Sequence, residues 1–488
     1  MPDVTVSPVV QSVTVSPGGT YYVSSTLEID LGGPSSGRNY TLGNQVNAIE
    51  EGTGSTANVV LGGGTTGQPN QIDGLSIVRS IVGGYDNYIG RPGAVDGSGD
   101  TGLAASIVGG KHCLIRRPTS TADHTAYNPV AVTATQVAGT FPNHGMICGA
   151  GYAEIRNGTD GFIGGGYGHA LYQTDGTNGK ADKAFIGGGY GNGVSGDYGA
   201  IVAGNANRVS QPHGFIGNGF QCHVTNTPGE TEGNSGIVIG YQNRIDDSSY
   251  AFIGGGGNNL MGMSGNSGIA SFGVIGGGYQ NAICNDSYAH SLGGYGWAST
   301  ISGGWKNAIS VGYASIPGGF MNRVEAEYGS ASGSDAVSHT PYYHVIGHQQ
   351  ATMGDSASGR HQTGTVVMRV TTTDGNWNYA TANGYNITIR DNHAASVRVL
   401  VIAKRDQSTQ CHGWSVEGVV NNLDGTISLI GGWSVTAIGA TPTTAWDFDP
   451  AIVSNNLTMR CRGQASATVH WTVRVDMVEV YAEPPTPV

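Results

Sequence analysis

The chain has 488 residues, of which 83 are glycine and only 11% are charged. Glycine at more than twice its usual share of about 7% shapes backbone, yet no every-third-residue period makes it collagen-like. The net charge of −12, with 22 Lys and Arg spread over the whole length, excludes the clustered cations that phosphate neutralisation needs, so no nucleic acid partner is expected.

In chain order, residues 1–39 are rich in Val, Thr, Ser, Pro and Gly and carry no repeat. They are expected to form a small β-segment that attaches the chain to a larger assembly. The start, Met-Pro-Asp-Val-Thr-Val-Ser-Pro, lacks a basic stretch followed by an apolar one, so no secretory leader is expected. No apolar run reaches the roughly 18 residues of a membrane-spanning helix, so no membrane insertion is expected.

Residues 40–348 repeat one motif: two apolar residues, glycines, a polar residue that is often Asn, any residue, then Ile, Val or Leu. Ile81 to Ile89, Phe185 to Val194, Ile201 to Val209, Ile237 to Ile245 and Val274 to Ile283 are examples. An Asn stands two places before a branched apolar residue at Asn47, Asn87, Asn192, Asn207, Asn243, Asn258, Asn281, Asn307 and Asn322. Two or three glycines per unit exclude a helical repeat, since each costs about 1 kcal/mol in a helix interior. The unit is therefore read as two short strands joined by a glycine turn, with coils stacked at about 4.8 Å to cover one another's apolar edges. The asparagines either stack as a ladder between coils or serve only as turn formers. The polar, aperiodic stretch near 116–143 reads as an inserted loop.

The six cysteines, Cys113, Cys148, Cys222, Cys284, Cys411 and Cys461, form no CxxC pair and read as isolated buried thiols. His344 and His348 could offer imidazoles to a metal on a threefold axis, but simple packing or solvent-facing histidines are expected. No metal, cofactor or catalytic residue is assigned. Acid pairs such as Asp447 with Asp449 and Glu325 with Glu327 could set two carboxylates at the separation glycoside hydrolysis needs, but 34 acids in 488 residues offer no acid-rich cleft.

From residue 349 to 488 the pattern becomes ordinary alternation, with strands expected at 365–370, 385–389, 397–403, 414–420, 457–461 and 469–480. These imply a β-sandwich. Four aromatic residues there, Trp377, Tyr379, Trp433 and Trp446, are the candidate receptor contacts, with Trp377 and Trp446 read as loop-like. Trp414 and Trp471 are read as core.

The stretch Ala184-Phe-Ile-Gly-Gly-Gly-Tyr-Gly-Asn-Gly-Val-Ser-Gly-Asp-Tyr-Gly-Ala-Ile-Val-Ala-Gly-Asn-Ala-Asn207 resembles the YadA-like β-roll of trimeric autotransporter adhesin heads and related phage fibres. The region Gly359 to Arg369, with Trp414-Ser-Val-Glu-Gly418 and Val469 to Val480, resembles a terminal domain of phage tail fibres. These resemblances imply an all-β, elongated homotrimer: a left-handed β-roll-like solenoid followed by a C-terminal β-sandwich. They further imply a virion tail fibre, made in the host cytoplasm and docked to a tail or baseplate protein through its N-terminus. The expected function is adsorption to a host-surface glycan without catalysis, so the chain is expected not to be an enzyme. The alternatives are a structural or capsid-decorating fibre without a receptor role, and a glycan depolymerase.

Overall fold

The computed structural model describes residues 145–156, 160–172, 181–225, 235–262, 270–283, 296–348, 361–438 and 445–481, with short stretches between 5 and 116 that are mostly strand backbone. Among the described residues every regular element is a β-strand. Residues 1–250 and 251–488 form two compact units.

In the first unit two parallel stacks of short strands accompany each other. One runs from Ala57–Leu61 and Val78–Val82 through Phe162–Ile163, Phe185–Ile186 and Ala200–Ile201 to Gly236–Tyr241. The other runs from Gln71–Ile72 through Gly193–Val194 and Arg208–Val209 to Arg244–Asp246. The β-solenoid read from the glycine period is thus present, and its core is two ladders of mostly β-branched side chains. Ile163, Ile186, Ile201, Ile216 and Ile237 on one stack, with Leu171, Val194, Val209, Val224 and Ile245 on the other, are all fully buried. Each such side chain contributes roughly 1.5–3 kcal/mol of burial. Only the second of each apolar pair faces inward where the pair is Phe-Ile, because neighbours on a strand alternate in direction. Phe185, Phe215 and Phe252 are exposed.

The expected attachment segment, residues 1–39, holds one antiparallel pair, Thr5–Pro8 with Leu27–Asp30, and its Tyr21–Val23 pairs antiparallel with Val46–Ile49 beyond it. The expected loop at 116–143 lies almost entirely outside the described residues, as does Cys284. Of the other cysteines, Cys113, Cys222 and Cys461 are buried as expected, but Cys148 is half-buried and Cys411 exposed.

In the second unit the same construction runs from Phe252–Ile253 to His344–His348 on one side and from Leu260–Met261 to Val337–Ser338 on the other. At His344–His348 the sheet reverses, and His361–Thr372 pairs antiparallel with it. Val469–Tyr481, His393–Arg405, Cys411–Leu423 and Thr426–Ile438 continue this antiparallel sheet. A smaller sheet of Trp377–Ala380, Asn456–Arg462 and Asp447–Val453 supplies the second layer. Trp414 stacks on Trp471 at 5.4 Å in the core between the layers. Residues 385–389 form only isolated bridges rather than the expected strand.

The asparagines are both turn formers and a ladder. Asn307 Nδ2 donates to the carbonyls of Gly303 at 3.0 Å and, on the next coil, Gly319 at 3.0 Å, while its Oδ1 accepts the Asn322 backbone N–H at 3.0 Å. The same pattern links Asn192 to Asn207, Asn207 to Cys222, Asn281 to Asn307 and Asn322 to Ala336. Expected Asn258 is displaced by one: Asn259 occupies the ladder and bonds Asn281 N–H, while Asn258 sits at φ 52° in the turn. The inward residue of that coil is Met261, not Leu260, which moves the register by one.

Where the solenoid meets the antiparallel sheet, Tyr343, Gln362 and Glu479 form a buried network. The Tyr343 hydroxyl and Gln362 Nε2 both donate to the Glu479 carboxylate, and Gln362 Oε1 accepts the Val337 N–H at 2.8 Å. Gly364 is required beneath the Tyr343 ring, since a Cβ there would lie 2.2 Å from it. Tyr343→Phe should cost about 2–3 kcal/mol in urea denaturation, because a buried carboxylate loses a donor. Burial, then the Glu479 charge, pushes the Tyr343 phenol well above its ordinary value. Its protonated form is favoured in the folded state, so this stabilisation is present below about pH 10 and lost as pH rises further.

Candidate functional site

The second turn of each coil places one residue, three positions before the inward apolar one, in the left-handed region. Lys183, Tyr198, His213 and Tyr250 in the first unit, and Phe272, Ala298, Tyr313, Tyr328 and Tyr342 in the second, have φ between 51° and 61°. Such angles are unusual for bulky residues and store strain that points to a role for the side chains. The turns are held from the coil before: Tyr313 N–H donates to Trp297 O at 2.7 Å and Tyr342 N–H to Glu327 O at 3.1 Å.

Because the turn repeats in register, the side chains stack. Tyr313 and Tyr328 are parallel at 5.0 Å, and Tyr328 and Tyr342 at 4.7 Å. The three rings make a terrace whose last member lines an open groove of about 390 Å³. Val367, Arg369, Thr381, Asn383 and Thr472 are among its other lining residues. Among the described residues Arg369 forms no ion pair. Glu327 is exposed beside Tyr328, and Glu325, half-buried in the same turn, has an Oε1 without a hydrogen-bond partner. Partial desolvation raises the Tyr328 pKa, and Tyr342, Tyr313, Glu327 and Tyr385 add to this. The phenol therefore remains a hydrogen-bond donor at neutral pH. Flat rings with hydroxyl donors, a guanidinium without an ion pair and the exposed Glu327 carboxylate suit a sugar chain: apolar sugar faces on the rings, hydroxyls and acid groups on the rim.

The four candidate receptor residues are not brought together. Trp377 and Tyr379 share one face of the small sheet, where the guanidinium groups of Arg462 and Arg460 lie over the Trp377 ring at 4.8 and 5.4 Å. Trp433 belongs to the other sheet and covers Gly418, whose Cβ would meet it at 2.4 Å. Trp446, read as loop-like, is instead buried, 6.3 Å from Trp471. Asp447 and Asp449 are engaged by Arg462 and Arg460, which takes that acid pair out of consideration for hydrolysis. His344 and His348 are exposed and bond Ser330 Oγ at 2.7 Å and Thr363 Oγ1 at 3.0 Å. The terrace itself went unread in the sequence. Its signal was Tyr-Gly or Tyr-Ala three residues before an inward position, at Tyr198, Tyr250, Tyr313 and Tyr328.

No protein-family model matches the chain, and no curated protein matches its sequence. Among solved structures it is similar to tailspike protein gp49 of Acinetobacter baumannii bacteriophage Fri1, described as a capsular polysaccharide depolymerase. That match has 9% identity, covers 85% of this chain and 82% of the other, and has a TM-score of 0.17. It is similar as well to the tailspike protein of Acinetobacter phage vB_ApiP_P1 (10% identity, 87% and 81% covered, TM-score 0.23). A third is the tailspike protein of Acinetobacter baumannii phage AM24 (10% identity, 83% and 78% covered, TM-score 0.21). At these TM-scores no residue and no reaction passes from them to this chain. The expectation of a fibre without catalysis, and of a chain that is not an enzyme, is nonetheless corrected: a tailspike described as a depolymerase stands among the matches.

Proposed function

We propose that this chain is a subunit of a phage tailspike-type rod that binds a polysaccharide on the tyrosine terrace and cleaves it. The observation that carries the reading is the stack of Tyr313, Tyr328 and Tyr342 running into the groove that holds Arg369. The rings take sugar faces, and Arg369 with Asn383 and Thr381 fixes the chain in the groove. Glu325 and Glu327 supply the carboxylates. One, protonated, gives its proton to the leaving glycosidic oxygen. The other takes a proton from water, whose oxygen bonds to the anomeric carbon as the old C–O bond breaks.

In the same proposal the rod is a homotrimer carried on a virion tail, with residues 1–39 as the attachment segment and 349–488 as the terminal domain. Ile402, Ile438, Val478 and Val480 leave the antiparallel sheet with an exposed apolar face, which supports packing of copies against it. Trp377 and Tyr379 keep an accessory role in sugar contact.

The test is release of new reducing ends from a panel of bacterial polysaccharides by the full chain. Glu327→Gln and Glu325→Gln should each lower the rate about 10²-fold or more. Tyr328→Gly, which removes the ring and relieves the left-handed strain, should weaken substrate binding while leaving thermal unfolding no worse. If the wild-type chain retains a polysaccharide but never shortens it, cleavage is wrong. If Tyr328→Gly binds as the wild type does, the terrace is wrong.

A further inference from the structure

In the first unit's second stack, the column that alternates with the inward residues passes from Glu154 through two small rungs, Ala170 and Gly193, to Arg208 and then becomes basic. Arg208 is in register with His223, and His223 with Arg244. Successive rungs lie about 4.8 Å apart, so the two guanidinium-bearing positions are separated by about 10 Å along the stack. In a chain of net charge −12 this is a local concentration of like charge that the fold's own residues only partly offset.

Arg244 is paired: its Nε lies 2.5 Å from Asp246 Oδ2, and Asp246, which is buried, also accepts the Thr225 hydroxyl. Half of the Arg244 side chain still faces solvent. Arg208 differs. It forms no ion pair among the described residues, and its Nε is buried without a hydrogen-bond partner. Gly193, the rung before it, adds no side chain of its own, and the edge of the Tyr172 ring covers that position, 3.3 Å from where a Cβ would stand. His223 stands between the two arginines. Burial, then Arg244 and Arg208, lower its pKa, with Asp246 acting the other way. At neutral pH the ring therefore carries no charge and offers one N–H.

We infer that Arg208, His223 and Arg244 form a binding strip for oxyanion groups carried by an acidic polysaccharide. A guanidinium grips a carboxylate, sulfate or phosphate ester with two parallel N–H bonds, and the burial of one Arg208 nitrogen strengthens that grip. A second oxyanion further along the same polymer meets the solvent-facing part of Arg244. The strip holds too few cations for a nucleic acid, whose affinity grows with each phosphate neutralised.

The experiment uses the full chain with polygalacturonate as the acidic probe, dextran as the neutral one, free sulfate as a competitor and single-stranded DNA as a further arm. Polygalacturonate should bind at low salt and dextran should not bind through this strip. Arg208→Gln should weaken polygalacturonate binding about tenfold or more, and Arg208→Lys should restore only part of it, since charge returns without the fork. Thermal unfolding and molecular mass should match the wild type in both variants. The inference is overturned if Arg208→Gln binds polygalacturonate normally, or if DNA binds more tightly than polygalacturonate. It is overturned too if free sulfate displaces the polymer completely at equal anion concentration, or if Arg208→Gln changes the molecular mass, which would make the strip a contact between copies.

Discussion

Gly304→Ala is expected to destabilise the second unit by on the order of 3–5 kcal/mol, whereas Gly303→Ala, one residue earlier, should stay within about 0.5 kcal/mol of the parent. Gly304 has φ +94°, and a Cβ there would stand 2.2 Å from the Gly319 carbonyl oxygen and 2.6 Å from Asn307 Nδ2. Both atoms belong to the hydrogen-bonding seam between coils, so relief would require the coils to part. Gly303 has no such angle, and a Cβ on it would meet nothing within 4 Å. Chemical denaturation of the two variants checks this. Equal losses would mean that the glycines serve chain flexibility in general rather than a close approach at one position.

Asn307→Ala should cost about 3–5 kcal/mol, comparable to removing a large core side chain. The amide is fully buried. Its removal leaves the Asn322 N–H without its acceptor at 3.0 Å and deprives the Gly303 and Gly319 carbonyls of a donor, each also at 3.0 Å. Asn281 Oδ1 also loses the contact it receives from Asn307 Nδ2 at 3.1 Å. Each orphaned buried group costs about 1–3 kcal/mol. Asn258→Ala is the comparison: that residue lies in the turn beside the ladder, and its loss should cost under about 1 kcal/mol, the small penalty of alanine at a positive φ. Hydrogen exchange should show protection lost on both coils flanking residue 307 in the first variant and on neither side of 258 in the second.

The solenoid was legible because its constraints are local and repeated. A glycine that must approach a neighbouring carbonyl and an asparagine that must bridge two coils leave the same trace in every unit. The one-residue displacement at Asn258 and Asn259 arises because both neighbours are Asn and both following residues, Leu260 and Met261, are apolar, so spacing alone cannot choose. The antiparallel sheet was harder to read. Thr426–Ile438 escaped because Gly431 and Gly432 break its alternation and its large apolar residues Ile430, Val435 and Ile438 are all exposed. Trp446 was misjudged because its backbone is irregular while its ring is buried, and only packing against Trp471 decides that. The tyrosine terrace was hidden for a different reason. Its members lie 14 or 15 residues apart at 313, 328 and 342, and they meet only once the coils are stacked.

The reversal of direction between His344–His348 and His361–Thr372 works as an end stop. A parallel stack finishes in a row of open N–H and C=O groups that could recruit another molecule and grow into a filament. Here the row on the His344–His348 stack is consumed by the chain's own next strand, so that stack cannot extend onto another molecule. Coils added to or removed from that stack would leave this closure as it is.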